Sequence, residues 1–81
     1  MMVILMREVS PNTRVLILEH KDNINPLAID KTGTVKLIQD KDGTELYYIH
    51  MDLNIDGFPY EAIGIPLGYG YIAIKEELAF I

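Results

Sequence analysis

The 81 residues are enough for one domain, and 49% of them are apolar, which excludes a disordered chain. The absence of cysteine excludes disulfides, thiol catalysis and cysteine metal sites, and it suits the reducing cytoplasm, where we expect the protein to be located. The formal charge of −5 argues against a nucleic-acid-binding protein, because such proteins gain most of their affinity by neutralising phosphates.

Residues 2–6, MVILM, form an apolar run near the start of the chain. The run is too short to span a bilayer, and no basic region precedes it as in a signal peptide. We therefore predict a β-strand. Because an uncovered apolar strand invites pairing, it either joins the same sheet or pairs with its copy in a second molecule, as a homodimer.

The rest of the chain predicts a single all-β domain, residues 1–81. β-Branched and aromatic residues cluster in short runs between turn residues, and no run has helical spacing. The first secure strand covers residues 13–20, after a turn in which Asn12 tolerates a left-handed backbone. A long polar loop, residues 21–31, follows. It is expected to fold partly on itself through its apolar side chains, Ile24, Leu27 and Ile29.

A tight hairpin is predicted in the middle of the chain. Its strands cover residues 33–39 and 44–53, and they flank the turn DKDG, in which Gly43 takes the left-handed position. In the second of these strands one face carries Tyr47, Ile49, Met51 and Leu53, and the other carries Leu46, Tyr48, His50 and Asp52. This alternation indicates that the first face is buried.

The last third of the chain predicts two further strands and a closing turn. Pro59 cannot donate a ladder hydrogen bond, so the strand around residues 60–65 is expected at an edge. PLGYG, residues 66–70, is interpreted as a turn, and residues 71–75 as a strand with Ile72 and Ile74 inward. EEL then predicts a 3-10 turn. After it, Leu78 and Phe80 would close the core and Ile81 would pair with an early strand.

The segment Asp52, Asn54, Asp56 and Gly57 matches the first half of an EF-hand calcium loop. The twelfth position, which should supply a bidentate glutamate, is Ile63, and the flanking segments are predicted strands. We interpret the segment as a turn in which short polar side chains bond their own backbone, with weak calcium binding as the alternative.

No catalytic constellation is found. The sequence contains no P-loop, no G-x-G-x-x-G and no G-x-S-x-G, and His20 and His50 have no second histidine or cysteine at ligand spacing. His50 beside Asp52 on one strand face is the one acid–base pair of interest. We therefore expect no enzymatic activity, no cofactor and no metal site.

The exposed tyrosines are the candidate protein-binding residues. If Tyr48, Tyr69 and Tyr71 face solvent, they offer amphipathic contact area of the kind enriched at interfaces, and His50 shares the outer strand face. Tyrosine on the outside of a small β-domain is also explained by β-propensity alone.

Three segments, SPNTRVLIL, KTGTVKLIQDKDG and YIAIKEELAFI, resemble the small SH3-like or KOW-like barrels encoded by phages and mobile elements, over roughly residues 9–81. The resemblance implies a closed five-stranded barrel with an extra N-terminal strand, a 3-10 turn before the last strand, and Gly33 close to a neighbouring backbone. Recognition of proline-rich peptides is not implied, because the tryptophan and the ALYDY-type motif of signalling SH3 domains are absent. The basic loops of KOW modules are replaced by acidic loops with Asp40, Asp42, Asp52 and Asp56.

The favoured function is a non-catalytic module that binds another protein through its tyrosine-bearing face and the loop 21–31. One alternative is an acidic mimic of nucleic acid, in which carboxylates gather at one end of the barrel: Asp22, Asp40, Asp42, Glu45, Asp52 and Asp56. Another is a nucleic-acid-binding KOW-like barrel, which requires the scattered cations to form a patch: Arg7, Arg14, Lys21, Lys31, Lys36, Lys41 and Lys75.

Overall fold

The computed structural model describes residues 11–81, and within them it confirms the all-β class. The six strands are β1 (Arg14–Ile17), β2 (Thr32–Lys41), β3 (Thr44–Met51), β4 (Phe58–Tyr60), β5 (Ile65–Ala73) and β6 (Leu78–Phe80). Three 3-10 turns cover Pro26–Ala28, Glu61–Ile63 and Lys75–Glu77. Across residues 11–81, no helix has the length and apolar character that a membrane crossing requires. The strand expected at residues 2–6 lies outside the described residues.

The six strands form one antiparallel sheet in the order β4-β5-β3-β2-β1-β6. The chain meanders from β1 to β3, and β6 returns to pair with β1. Strands β4 and β6 are the two edges, so the sheet of the described residues is not closed. The closed five-stranded barrel is thus replaced by an open six-stranded sheet.

The β2–β3 hairpin confirms the predicted tight turn. Asp42 and Gly43 have φ of 54° and 84°, and the Asp40 carboxylate accepts a 3.0 Å hydrogen bond from the Gly43 N–H. Two successive positive φ values match the right-handed twist of the strands that the turn joins. Asn12 also has the expected left-handed backbone, with φ of 76°.

The core lies on one face of the sheet. It contains Val15 and Ile17 of β1, Val35 of β2, and the predicted inward face of β3: Tyr47, Ile49 and Met51. Leu53 was expected on this face and is 59% exposed, because β3 ends at Met51. The close approach expected at Gly33 is confirmed, since a methyl group there would lie 2.9 Å from the His50 carbonyl oxygen.

The predictions for β5 are wrong in two respects. Residues 66–70 are strand rather than turn, and pair with β4. In addition, Tyr71 and Ala73 point into the core, whereas Ile72 and Ile74 are only partly buried. The alternation along the end of β5 is therefore shifted by one residue from the predicted one, so its side chains lie on the opposite face of the sheet from the one expected.

The edge position predicted for the Pro59 strand is confirmed, although the strand is Phe58–Tyr60 and residues 61–63 form a 3-10 turn. At the other edge, the predicted 3-10 turn is present at Lys75–Glu77. Leu78 joins the core, and the Ile81 N–H donates to the Arg14 carbonyl at 3.2 Å, as expected. Phe80 does not close the core and is 42% exposed.

Asparagine side chains contribute to holding the loop 21–31. Of the three apolar side chains expected to fold it, Ile24 and Leu27 are exposed and Ile29 is partly buried, while Ala28 joins the core. The Asn25 carbonyl oxygen accepts from the Leu27 N–H at 3.0 Å and caps the turn Pro26–Ala28, while its amide donates to the Ile55 carbonyl at 2.8 Å. This second bond ties the loop to the segment between β3 and β4.

Candidate protein-binding surface

The face of the sheet opposite the core carries the candidate site. Tyr48 and His50 alternate with the buried side chains of β3, so both lie on this outer face. Their cross-strand neighbours are Ile72 beside Tyr48 and Gly70 beside His50. Because Gly70 has no side chain, Phe58 of β4 packs closely against its backbone beside His50.

Two ring pairs built on the outer-face residues of β3 form what we call the aromatic patch: Tyr48, His50, Tyr60 and Tyr69. Tyr48 and Tyr60 pack edge to face with centroids 5.5 Å apart, and His50 and Tyr69 do the same at 5.7 Å. Edge-to-face packing is the favoured geometry of aromatic pairs. The structure therefore brings together three of the four predicted residues.

Two residues differ from the prediction. Tyr71 is 0% exposed and belongs to the core, so its assignment to a protein-binding face is wrong. Tyr60 was missed, because residues 60–65 were interpreted as one strand and its ring contact with Tyr48 depends on the β4–β5 pairing. From the sequence, the alternation along β3 identifies Tyr48 and His50 as residues of the outer face.

A groove of about 400 Å³ adjoins the patch. Its lining residues are His50, Glu61, Gly64, Ile65, Pro66 and Leu67. Ile65 forms its buried floor, whereas Leu67 is 74% exposed at its margin. At this position beside the groove, the Leu67 side chain can be buried by a bound partner.

Three more exposed aliphatic side chains lie in segments that are joined by hydrogen bonds to the segment of Leu67. Together with Leu67 they form what we call the apolar rim: Ile24, Leu27, Leu53 and Leu67. The Asn25–Ile55 bond joins the segments of Ile24 and Leu53. The Ile55 N–H donates to the Gly68 carbonyl at 2.9 Å, which joins the segments of Leu53 and Leu67. The hydrogen bonds thus hold all four segments at one end of the sheet.

The acidic loops are not gathered. Asp40 and Asp42 lie at the β2–β3 turn, whereas Asp52 and Asp56 follow the opposite end of β3. An eight-residue strand spans about 25 Å. The expectation that these carboxylates share one end of the molecule is therefore wrong.

The D-x-N-x-D-G segment is a turn in which the side-chain oxygens of Asp52 and Asn54 are already engaged. Asp52 accepts from the Arg14 guanidinium at 2.8 and 2.6 Å and from the Thr32 hydroxyl at 2.5 Å. The side-chain Oδ1 of Asn54 accepts a hydrogen bond from the Asp56 N–H at 2.8 Å, so the Asx-turn interpretation is confirmed. Among residues 11–81, no group of three or more histidine or carboxylate side chains could hold a metal ion.

The hydrogen bonds from Arg14 and Thr32 lower the pKa of Asp52 to about 2, from 3.8. A carboxyl whose pKa is lower in the folded state stabilises that state at pH values above its unfolded pKa. This contribution is lost as pH falls from about 4 to 2.

We expect the stability of Asp52→Asn to decrease less steeply with acid over that window than the stability of the parent protein, measured by circular dichroism. Asp56→Asn, whose carboxyl lies outside the Arg14 pair, is the matched control. An unchanged acid profile in Asp52→Asn would contradict this role of the ion pair.

The two histidines lie in different surroundings, and His20 has the Asp22 carboxylate 3.6 Å from its Nδ1. The His20 Nδ1 accepts from the Asp22 N–H at 3.1 Å and stabilises a local turn. His50 packs on Tyr69, while the carboxylate of Asp52 bonds Arg14 and Thr32. The Asp52 carboxylate is therefore engaged by Arg14 and Thr32, and His50 adds only a smaller charge effect to its lowered pKa.

A buried polar cluster, missed by sequence reasoning, holds the loop 21–31 against the end of the chain. Glu77 is 1% exposed, and its carboxylate accepts from the Tyr71 hydroxyl at 2.5 Å, the Asn23 amide at 2.8 Å and the Ile74 N–H at 3.2 Å. Burial and the bond to Glu77 raise the pKa of Tyr71 to about 12. The cluster is satisfied internally and serves the fold.

Comparisons with protein-family models, with curated proteins and with solved structures found no match for this chain.

Proposed function

We propose that this protein is a non-catalytic module that binds another protein through the aromatic patch, the adjoining groove and the apolar rim. The observation that carries the proposal is the presence of two aromatic pairs around Tyr48 and His50, with the exposed Leu67 lining the same groove as His50. Tyrosine provides contact area at low cost in side-chain entropy and is enriched at interfaces. Exposed aliphatic groups that lie together favour contact with a partner.

We further propose an SH3-like arrangement for the fold. Its support is the meander β1-β2-β3-β5 followed by a 3-10 turn and a last strand that pairs with the first. The β4 strand and the turn Glu61–Ile63 are then an insertion that carries part of the binding surface. The resemblance of the sequence to phage and mobile-element barrels supports an origin of that kind.

The two alternative functions receive less support. An acidic mimic of nucleic acid needs an ordered row of carboxylates, and these residues are divided between two ends of β3. A nucleic-acid-binding barrel needs a cationic patch, but Arg14 is paired with Asp52, and Lys41 and Lys75 lie away from the aromatic patch.

Site-specific photocrosslinking in the cells that encode the protein tests the proposal. A photoreactive phenylalanine analogue in place of Tyr69 is expected to capture a defined partner, and the same group in place of Phe80 is not. With that partner purified, Leu67→Ser should weaken binding at least about tenfold, the effect of losing a contact worth ~1.4 kcal/mol. Ile81→Ser is the control, because Ile81 is also exposed but lies beyond the opposite edge strand. Equal loss in both variants, or crosslinks only from position 80, would reject this surface.

A further inference from the structure

The net charge of the protein is confined to one part of the chain. Residues 42–74 contain no lysine or arginine and carry five carboxylates: Asp42, Glu45, Asp52, Asp56 and Glu61. The remaining residues contain seven acidic and seven basic side chains, so their formal charges cancel. The segment 42–74 contains β3, β4 and β5, and therefore the whole aromatic patch and the whole groove.

The charges near the patch are acidic and incompletely neutralised. Glu61 lines the groove, and Asp56 precedes β4. Arg14 reaches this region from β1, but its guanidinium is held by both oxygens of Asp52. Lys36 lies on β2, the strand directly beside β3, at the register shift between Val35 and Leu37, so one cation borders the Tyr48 side of the patch. The groove side, which Glu61 lines and to which residues 42–74 contribute no lysine or arginine, is consequently the acidic side.

An acidic groove beside partly exposed aromatic rings favours cations. Lysine and arginine are attracted both to the carboxylates and to the electron-rich ring faces. A partner that also covers the exposed Leu67 needs an apolar group beside that cation. From this combination we propose that the surface binds a segment of another protein that carries lysine or arginine next to an aliphatic or aromatic residue. The inference rests on the proposed protein-binding function and specifies the partner.

A displayed library of random linear peptides tests the inference with the intact protein. Selected peptides should combine lysine or arginine with a nearby apolar residue, and their affinity should fall as salt rises to physiological strength, where charges are screened beyond ~8 Å. Glu61→Lys should weaken binding of a selected peptide about three- to tenfold. Glu76→Lys makes the same change of charge at an exposed residue outside the segment 42–74, and it should leave the affinity within twofold.

The outcomes separate the inference from the proposed function. Peptides that lack cations but lose binding in Leu67→Ser would overturn the inference and leave the surface itself supported. Selection of no peptide, or of peptides insensitive to Leu67→Ser, would overturn both. Sedimentation of the free protein as a dimer that Leu67→Ser dissociates would assign the surface to a second copy of this chain and overturn the inference. Tight binding of RNA or DNA that competes with the peptides would overturn it as well.

Discussion

Replacing Glu77 with alanine is expected to lower the free energy of unfolding by about 3–5 kcal/mol. The change removes the acceptor for the Tyr71 hydroxyl, the Asn23 amide and the Ile74 N–H, and leaves these donors at a site that is 1% exposed. A protein of this length has a total stability of about 4–12 kcal/mol, so the loss is a large share. Urea unfolding monitored by circular dichroism measures it.

Glu76→Ala is the matched control for this experiment. It removes the same side chain one residue earlier, where the glutamate is exposed, and should change stability by less than about 0.5 kcal/mol. If Glu77→Ala does not fold, Glu77→Gln keeps one carbonyl acceptor and should show an intermediate loss. Equal stabilities of the Glu76 and Glu77 variants would show that the buried cluster contributes nothing.

Replacing Gly70 with alanine is expected to destabilise the protein by about 3 kcal/mol, the upper end of the usual cost of overpacking. A methyl group there would overlap the Phe58 carbonyl oxygen, and Gly57 approaches the Gly70 backbone equally closely. Because the obstacles are backbone atoms, β4 must move away from β5. The Tyr60 ring would then leave Tyr48, which is measurable as a change in the ring proton shifts of Tyr60.

Gly43→Ala provides the comparison. Gly43 has φ of 84° and open space around it, so alanine should cost only about 1 kcal/mol, from backbone strain. Its effects should stay at the β2–β3 turn and leave the Tyr60 signals unchanged. The proposed role of Gly70 fails if both variants lose similar stability and neither moves Tyr60.

These glycines also show why β5 could not be predicted from sequence. Pro66, Gly68 and Gly70 are typical turn residues, and only the tertiary structure shows that Gly70 allows β4 to approach. With residues 66–70 interpreted as a turn, residue type alone sets the predicted alternation of β5. Residue type places isoleucine inward instead of tyrosine, whose hydroxyl is bonded in the structure by Glu77 and Asn23.

The β2–β3 hairpin was predictable because local signals decide it. Asp42 and Gly43 specify the turn, and Tyr47, Ile49 and Met51 specify the buried face. For the candidate site, the alternation on β3 identified Tyr48 and His50. Tyr60 and Leu67 depend on how a three-residue edge strand folds back on β5, and no local pattern encodes that pairing.

The pairing of β1 with β6 affects the order in which the strands of the sheet can pair during folding. Val15 lies opposite Phe80, so the first described strand pairs with a strand that is far from it along the chain. Contacts so distant along the chain slow folding, because the loop must close before they form. During synthesis the outer backbone edge of β1 stays unpaired until residues 78–80 have left the ribosome. We therefore expect the pairing of β1 with β6 to be the last strand pairing of the described sheet to form.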